Sequence, residues 1–408
     1  MTNDVCRRKF LMRGAALGCS AAASPLITPI ALANAPWDTR LVVIVLRGGM
    51  DGLDVVQPYG DPAMAALRPN LKTGQAADAL DLDGFYAMHP SLAPIYPLWQ
   101  AGQLGFVHAV STPYRDKRSH FDGQDILEAG ITNLGQGVRD GWLNRLLQVT
   151  PGIETETAFA VGRERMLILE GDAPSSAWAP RSELDLSPQA ERLLELIYHD
   201  DPLFREASRD ALLIAGDVAA QADLASETEE MLADNPMMGA VRPNIAHVQL
   251  AEFAASRLRG DTRIASFSLN GWDTHNGQKR GIGNALRALS ETILTLQAGL
   301  GAQWGKTAVI CMTEFGRTAR ENGTNGTDHG TGGAMVLAGG AVRGGRVVTD
   351  WPGLSDADLY AGRDLMPTRD VRAIAGWALR DMIGMSVPNI ENIVFPGVEL
   401  GQNPGIIL

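Results

Sequence analysis

Cysteine is scarce in this chain, which has three in all. Cys6 and Cys19 fall in the first 33 residues, leaving Cys311 alone beyond them. One thiol forms no internal disulfide even in an oxidising compartment, so stability rests on core packing and on any bound metal. After the N-terminal region no apolar run is long enough to span a bilayer. Also absent are G-x-S-x-G, H-E-x-x-H and C-x-x-C, the commonest signatures of serine hydrolases, zinc peptidases and thioredoxin-like proteins. The segment Gly301 to Thr307 imitates a phosphate-binding loop but has one residue too few between its glycines. It also precedes a strand pattern, whereas that loop must follow a strand and open a helix. Excess positive charge is missing as well. The formal charge is −12, and loss of residues 1–33, with four basic groups and one acid, takes it to −15. Such a chain is a poor partner for nucleic acid.

What is present reads as a folded α/β protein. Apolar content of 45% with 20% charged residues is ordinary for a water-soluble chain. A length of 408 residues suits one large α/β domain with an insertion, or two domains. Arg7-Arg8-Lys9 precedes a weakly apolar run ending Ala31-Leu32-Ala33, the pattern of a cleaved export signal. The paired arginines point to twin-arginine export and a periplasmic or secreted protein with no stable membrane span after cleavage.

Leu41 to Leu46 is a continuous apolar run closed by Arg47-Gly48-Gly49-Met50-Asp51-Gly52, as expected of a strand buried on both faces and ending in a tight turn. Similar runs cover Leu104 to Val110, Ile264 to Leu269, Thr307 to Thr313 and Ala334 to Ala338, with helical patterns between several of them, clearest from Ile282 to Leu300. The alternation predicts a mostly parallel sheet covered by helices. Residues 187–258 show helical patterns without a strand and are expected to form a helical lobe inserted between core segments 34–186 and 259–408. From Pro388 onward the chain reads as an irregular tail.

In open α/β sheets ligands gather at the carboxyl ends of strands. Asp51 follows the first strand pattern, and Ser119 and His120 follow the second, with Ser119 at a helix N-cap. Asp273 and His275 follow the third, Glu314 and Arg317 the fourth, and Asp328 and His329 stand in a glycine-rich loop just before the fifth. Taken singly, several have plain roles: Asp51 as a turn residue, Ser119 as a helix cap, Arg317 in an ion pair, Asp328 in loop support. His108 lies on a core strand, and His89, His199 and His247 read as structural or surface residues. Together, carboxylates, imidazoles and a hydroxyl at a helix N-terminus are the parts of a divalent-metal site with a nucleophile.

The leader, "LRGGMDGLDVVQPYGDP", "RSHFDGQDILEAG", "WDTHNGQ", "TEFGRT" and "DHGTGGAMVLAGG" together resemble an uncharacterised family of exported proteins related to the alkaline phosphatase and sulfatase superfamily. The resemblance implies a three-layer α/β sandwich with a metal site at the carboxyl edge of its sheet. It implies Asp51, Asp273, His275, Glu314 and His329 as ligands of zinc, manganese, iron or calcium. It implies Ser119 or an activated water as nucleophile, with His120 or Arg317 stabilising the anionic transition state. Glu314-Phe315 stands where the superfamily has Asp-His, so His120 is expected to replace an imidazole or the site to hold one ion. Ser111-Thr112-Pro113-Tyr114-Arg115 also fits the sulfatase nucleophile pattern, but it sits at a strand end, ahead of the helix that Ser119 opens. The expected function is hydrolysis of phosphate or sulfate esters, on a small anionic ester or an envelope polymer. The alternative is a non-catalytic envelope binding protein on the same scaffold.

Overall fold

The computed structural model describes residues 35–115, 117–162, 164, 166–179 and 246–408. The expected export signal (1–33) and most of the expected inserted lobe (187–258) lie outside these residues. Among the described residues twelve strands occur in chain order: β1 Arg40–Leu46, β2 Val56–Gln57, β3 Leu80–Asp81, β4 Ala87–Met88, β5 Leu104–Ser111, β6 Ala158–Val161, β7 Ser176–Trp178, β8 Ile264–Leu269, β9 Thr307–Met312, β10 Gly333–Ala338, β11 Val347–Val348 and β12 Arg369–Asp370. Nine form the central sheet in the order β11-β5-β10-β9-β1-β8-β6-β7, with β12 beside β5. Short β2, β3 and β4 make a separate antiparallel sheet that the sequence patterns did not reveal.

Every residue of β1 is buried, and alternate side chains enter opposite cores. Val42, Ile44 and Leu46 join one, while Leu41, Val43 and Val45 join the other. That is why the run is continuously apolar: a strand covered on both faces has no polar side. Against the first face lie α4 (Ala246–Leu258) and α5 (Gln278–Leu300), the latter through Ile282, Leu286, Leu289, Ile293 and Leu296 at helical spacing. Against the second lie α3 (Trp142–Gln148) and α6 (Val371–Ile383). The result is a three-layer α/β sandwich. Two further helices flank the future site, α1 (Gly52–Val55) and α2 (His120–Ala129).

The sheet is parallel at β1–β8, β1–β9, β6–β8, β6–β7 and the β5 edge pairings, but β10 runs antiparallel between β5 and β9. This reversal matters for the site. The carboxyl ends of β1, β5, β8 and β9 reach one edge, and the amino end of β10 arrives at the same edge. The loop before β10 therefore meets the loops after the other strands.

Two expectations need adjustment. The described end of the expected inserted lobe, α4, packs its Phe253 and Leu258 into the sheet core. The tail is partly helical: Val387–Asn389 and the π-helical turn Ile390–Val394 bury Ile390, Val394 and Phe395. Ile390, Val394 and Phe395 hold onto the core a segment expected to be irregular.

Candidate metal centre

His120, Asp273 and His329 each present a ligand atom within 4.8 Å of the others. His275 stands beside two of them. Its Nε2 stands 2.9 Å from His329 Nε2 and 3.1 Å from Asp273 Oδ1. His329 Nε2 is 3.3 Å from the same oxygen, and His120 Nε2 is 3.5 Å from Asp273 Oδ2. Nitrogen and oxygen ligands about 2.0–2.2 Å from zinc in tetrahedral geometry stand roughly 3.3 Å apart, so this spacing fits one ion.

Each imidazole is oriented from behind. His329 Nδ1 faces the Arg118 carbonyl at 2.9 Å, and a carbonyl only accepts, so Nδ1 carries the proton. His275 Nδ1 faces Asp328 Oδ1 at 3.1 Å. Hydrogen bonding from Asn322 and His275 holds the Asp328 carboxyl below its ordinary range, so it accepts as well. His120 Nδ1 lies 2.8 Å from Glu314 Oε1. Burial pushes the Glu314 carboxyl up, but hydrogen bonds from His120, Gln124 and the Gly48 amide together bring it below the ordinary range. All three rings thus turn an Nε2 lone pair toward the Asp273 carboxylate. This is the arrangement of metal-binding histidines, whose second nitrogen donates to a carboxylate or carbonyl.

Lone pairs brought this close repel unless something positive lies between them. A proton shared by His275 and His329 satisfies their contact alone; it leaves the buried His120 Nε2 without a hydrogen-bond partner. One divalent cation satisfies His120, Asp273 and His329 together, so the residues present fit a metal ion. Burial pushes the Asp273 carboxyl up, but the Arg317 bond and charge, with His275 and His120, hold it below the ordinary carboxylate range. With Asp273 47% and His275 40% exposed at the side chain, the cluster opens to solvent. Burial lowers His329, favouring its neutral imidazole.

The remaining candidates lie around this centre. Glu314 is fully buried and stands behind His120. Asp51 is held away from the imidazoles: Arg68 grips it bidentately at 2.7 and 3.0 Å, and Gln278 Nε2 donates to it at 2.6 Å. Asp54 lies beside it, its carboxyl raised by burial and by Asp51. Arg317 is fully buried and donates to the carbonyls of Gly48, Gly49, Trp272 and Thr327 and, at 2.5 Å, to Asp273 Oδ1. It therefore joins three site loops and aims Asp273. Ser119 caps α2, its hydroxyl accepting from the Asp122 amide at 3.4 Å. Ser111 donates to the Thr112 carbonyl at the end of β5. Arg68, Gln124 and Gln278 escaped the sequence reading. Gln124 had a signal, since His120, Gln124 and Glu128 recur every four residues along one face of α2.

The glycines explain how the last loop fits. A Cβ on Gly326 would lie 2.2 Å from the His275 carbonyl oxygen, and one on Gly330 would lie 2.3 Å from the Arg317 carbonyl carbon. Only a bare backbone can approach so closely, and that approach sets His329 against its partners. An isolated antiparallel bridge joins Arg317 to His329.

Fold and site together define a three-layer α/β protein with a His120–Asp273–His329 cluster, and His275 beside it, at the carboxyl edge of its sheet. The chain belongs to the family described as protein of unknown function (DUF1501), whose model matches residues 108–377. No curated protein matches its sequence. Among solved structures it is similar to the lipoteichoic acid synthase LtaP from Listeria monocytogenes, at 7% identity and a TM-score of 0.42, over 91% of this chain and 76% of that one. It is similar to a protein in the alkaline phosphatase superfamily from Vibrio parahaemolyticus, at 12% identity and 0.40, over 93% and 77%. It is also similar to a mutant alkaline phosphatase from the Antarctic bacterium TAB5 with Mg bound, at 12% identity and 0.33, over 78% and 95%.

Proposed function

We propose that this protein is an exported hydrolase of phosphate or sulfate esters that uses one divalent metal ion held by His120, Asp273, His275 and His329. The observation that carries the reading is the convergence of three Nε2 lone pairs on one carboxylate, each imidazole held from behind by an acceptor. A bound divalent ion supplies a Lewis acid for a phosphoryl or sulfuryl oxygen. Asp51 lies outside the ligand set because Arg68 already neutralises it, and Glu314 supports His120 from behind.

The surroundings favour an anionic ligand. Lys117 and Arg118 are exposed in the segment leading into the cluster, in a chain whose overall charge is strongly negative. They are followed at once by the N-terminus of α2, whose dipole favours negative charge. Ser119, at that N-terminus and next to His120, is the proposed nucleophile. Export rests on the paired arginines and the A-x-A site of the first 33 residues. Among the described residues no helix is long and apolar enough to cross a membrane.

The test is elemental analysis of mature protein purified without chelators, alongside Asp273→Asn and His275→Ala. About one zinc, manganese, iron or calcium ion per chain is expected in the natural protein and a large loss in both variants. Turnover of aryl phosphates or sulfates should follow the metal and fail in Ser119→Ala. Full metal content in folded variants would remove the ligand assignment. No metal in the natural protein after each ion is added in excess would leave a non-catalytic binding protein.

A further inference from the structure

Behind His120 a chain of hydrogen bonds runs from an ion-pair hub to that ligand. Arg47, just past β1, has a side chain 13% exposed and is held by Glu128 at 2.7 Å and Glu164 at 3.0 Å. Its Nη1 donates to Gln124 Oε1 at 2.7 Å. Gln124 Nε2 in turn donates to Glu314 Oε1 at 3.1 Å, and that oxygen faces His120 Nδ1 at 2.8 Å. Glu314 also receives the Gly48 amide at 2.9 Å and the Thr313 hydroxyl at 2.9 Å.

The direction of this chain is determined by chemistry. A guanidinium only donates, so Gln124 must turn its oxygen to Arg47 and its amide nitrogen to Glu314. Glu314 is then met by donors alone, and His120 completes them with an Nδ1 proton. Its Nε2 lone pair is thereby committed to the metal side. We propose that Gln124 and Arg47 are positioning residues of the metal centre, setting the tautomer and ring orientation of His120 through Glu314. The hub also reaches the other ligand loop: Glu164 accepts from Ser268 at 2.7 Å and from Asn270 at 2.6 Å, where the segment carrying Asp273 and His275 begins. Arg47 therefore couples α2, which brings His120, to the end of β8, which brings Asp273 and His275.

An ion-pair hub of purely structural worth would affect stability but leave the His120 tautomer alone. The proposal rests on the metal reading for its purpose, so its test includes a measurement that needs no metal. Imidazole 15N shifts of the metal-free full chain, taken at alkaline pH where His120 is neutral, should show its proton on Nδ1. Gln124→Met keeps the side-chain length and removes both hydrogen bonds; the Nε2–H form of His120 should gain population. Zinc affinity, read by competition with a chromophoric chelator, should fall about 10–100-fold, the usual cost of losing an outer partner of a ligand. Melting should shift little beside that loss. If Gln124→Met is poorly folded, Arg47→Lys keeps the charge against Glu128 but cannot hold Glu128, Glu164 and Gln124 together, and the same two readouts apply. An unchanged His120 tautomer with unchanged zinc affinity in a folded variant would overturn the proposal. If the natural protein binds no zinc but Gln124→Met still shifts the tautomer, the relay stands and the metal reading fails.

Discussion

His108 and His120 stand twelve positions apart in the sequence and meet opposite environments. His108 lies on β5 with no solvent exposure; its Nε2 donates to the Val56 carbonyl at 2.9 Å and the Gly52 carbonyl at 3.2 Å. Its Nδ1 accepts the Ala109 amide, so a second proton has no acceptor. Burial lowers it to about 4, against about 6.5 for a free imidazole. A lowered folded-state value means that the stability is present above the unfolded value and is lost as pH falls from about 6.5 through about 4. The shift corresponds to a loss on the order of 3 kcal/mol across that window. Urea unfolding of the natural protein and His108→Gln between pH 7 and 4 should show a flatter acid limb in the variant. Parallel limbs would mean that His108 does not dominate acid sensitivity. His120 is instead raised, chiefly by the Glu314 hydrogen bond, against burial. One imidazole is a structural donor to backbone, the other faces the cluster.

At the scale of elements, the site is a meeting of loops that separate strands deliver. Most of the strands carrying it were legible: long apolar runs closed by glycine or polar turns placed β1, β5, β8, β9 and β10 to within about a residue at either end. Two-residue strands such as β2 and β4 carry too short a pattern to be seen. The glycines of the loop before β10 have one physical role, close passage over neighbouring backbone. Gly330→Ala should weaken zinc binding more than tenfold and cost about 1–3 kcal/mol, as forced overpacking does. Paired zinc and urea titrations would check this. Unaltered values in both would show that the loop yields and that close passage does not position His329.

At the scale of the whole molecule, the cluster joins segments separated by more than two hundred residues, from His120 to His329. An ion bound there closes several strand-end loops at once and stabilises only the folded chain. With free metal at a thousand times its dissociation constant, one site contributes about 4 kcal/mol. Chelation should therefore lower the Tm of the natural protein by several degrees, reversibly on adding zinc. Asp273→Asn should melt at the same temperature with and without chelator. A natural protein indifferent to chelator, though shown to contain metal, would place the ion elsewhere.

The sequence by itself determined the sheet-forming runs, the helical cover of α5 and the concentration of acids and histidines at strand ends. Those features follow from local periodicity and turn chemistry, which act over a few residues. It also singled out Asp273, His275, His329 and His120 as chemistry-bearing residues. Only the tertiary structure decided how they divide the work. Arg68 is seventeen positions from Asp51 in a segment with no motif, yet it takes both oxygens of that carboxylate. Glu314 faces His120 because β5 and β9 flank β10 and deliver both to one place. Most of all, His329 reaches the cluster from the start of a strand because β10 runs against its neighbours. Strand direction is set by long-range pairing, and no local pattern encodes it.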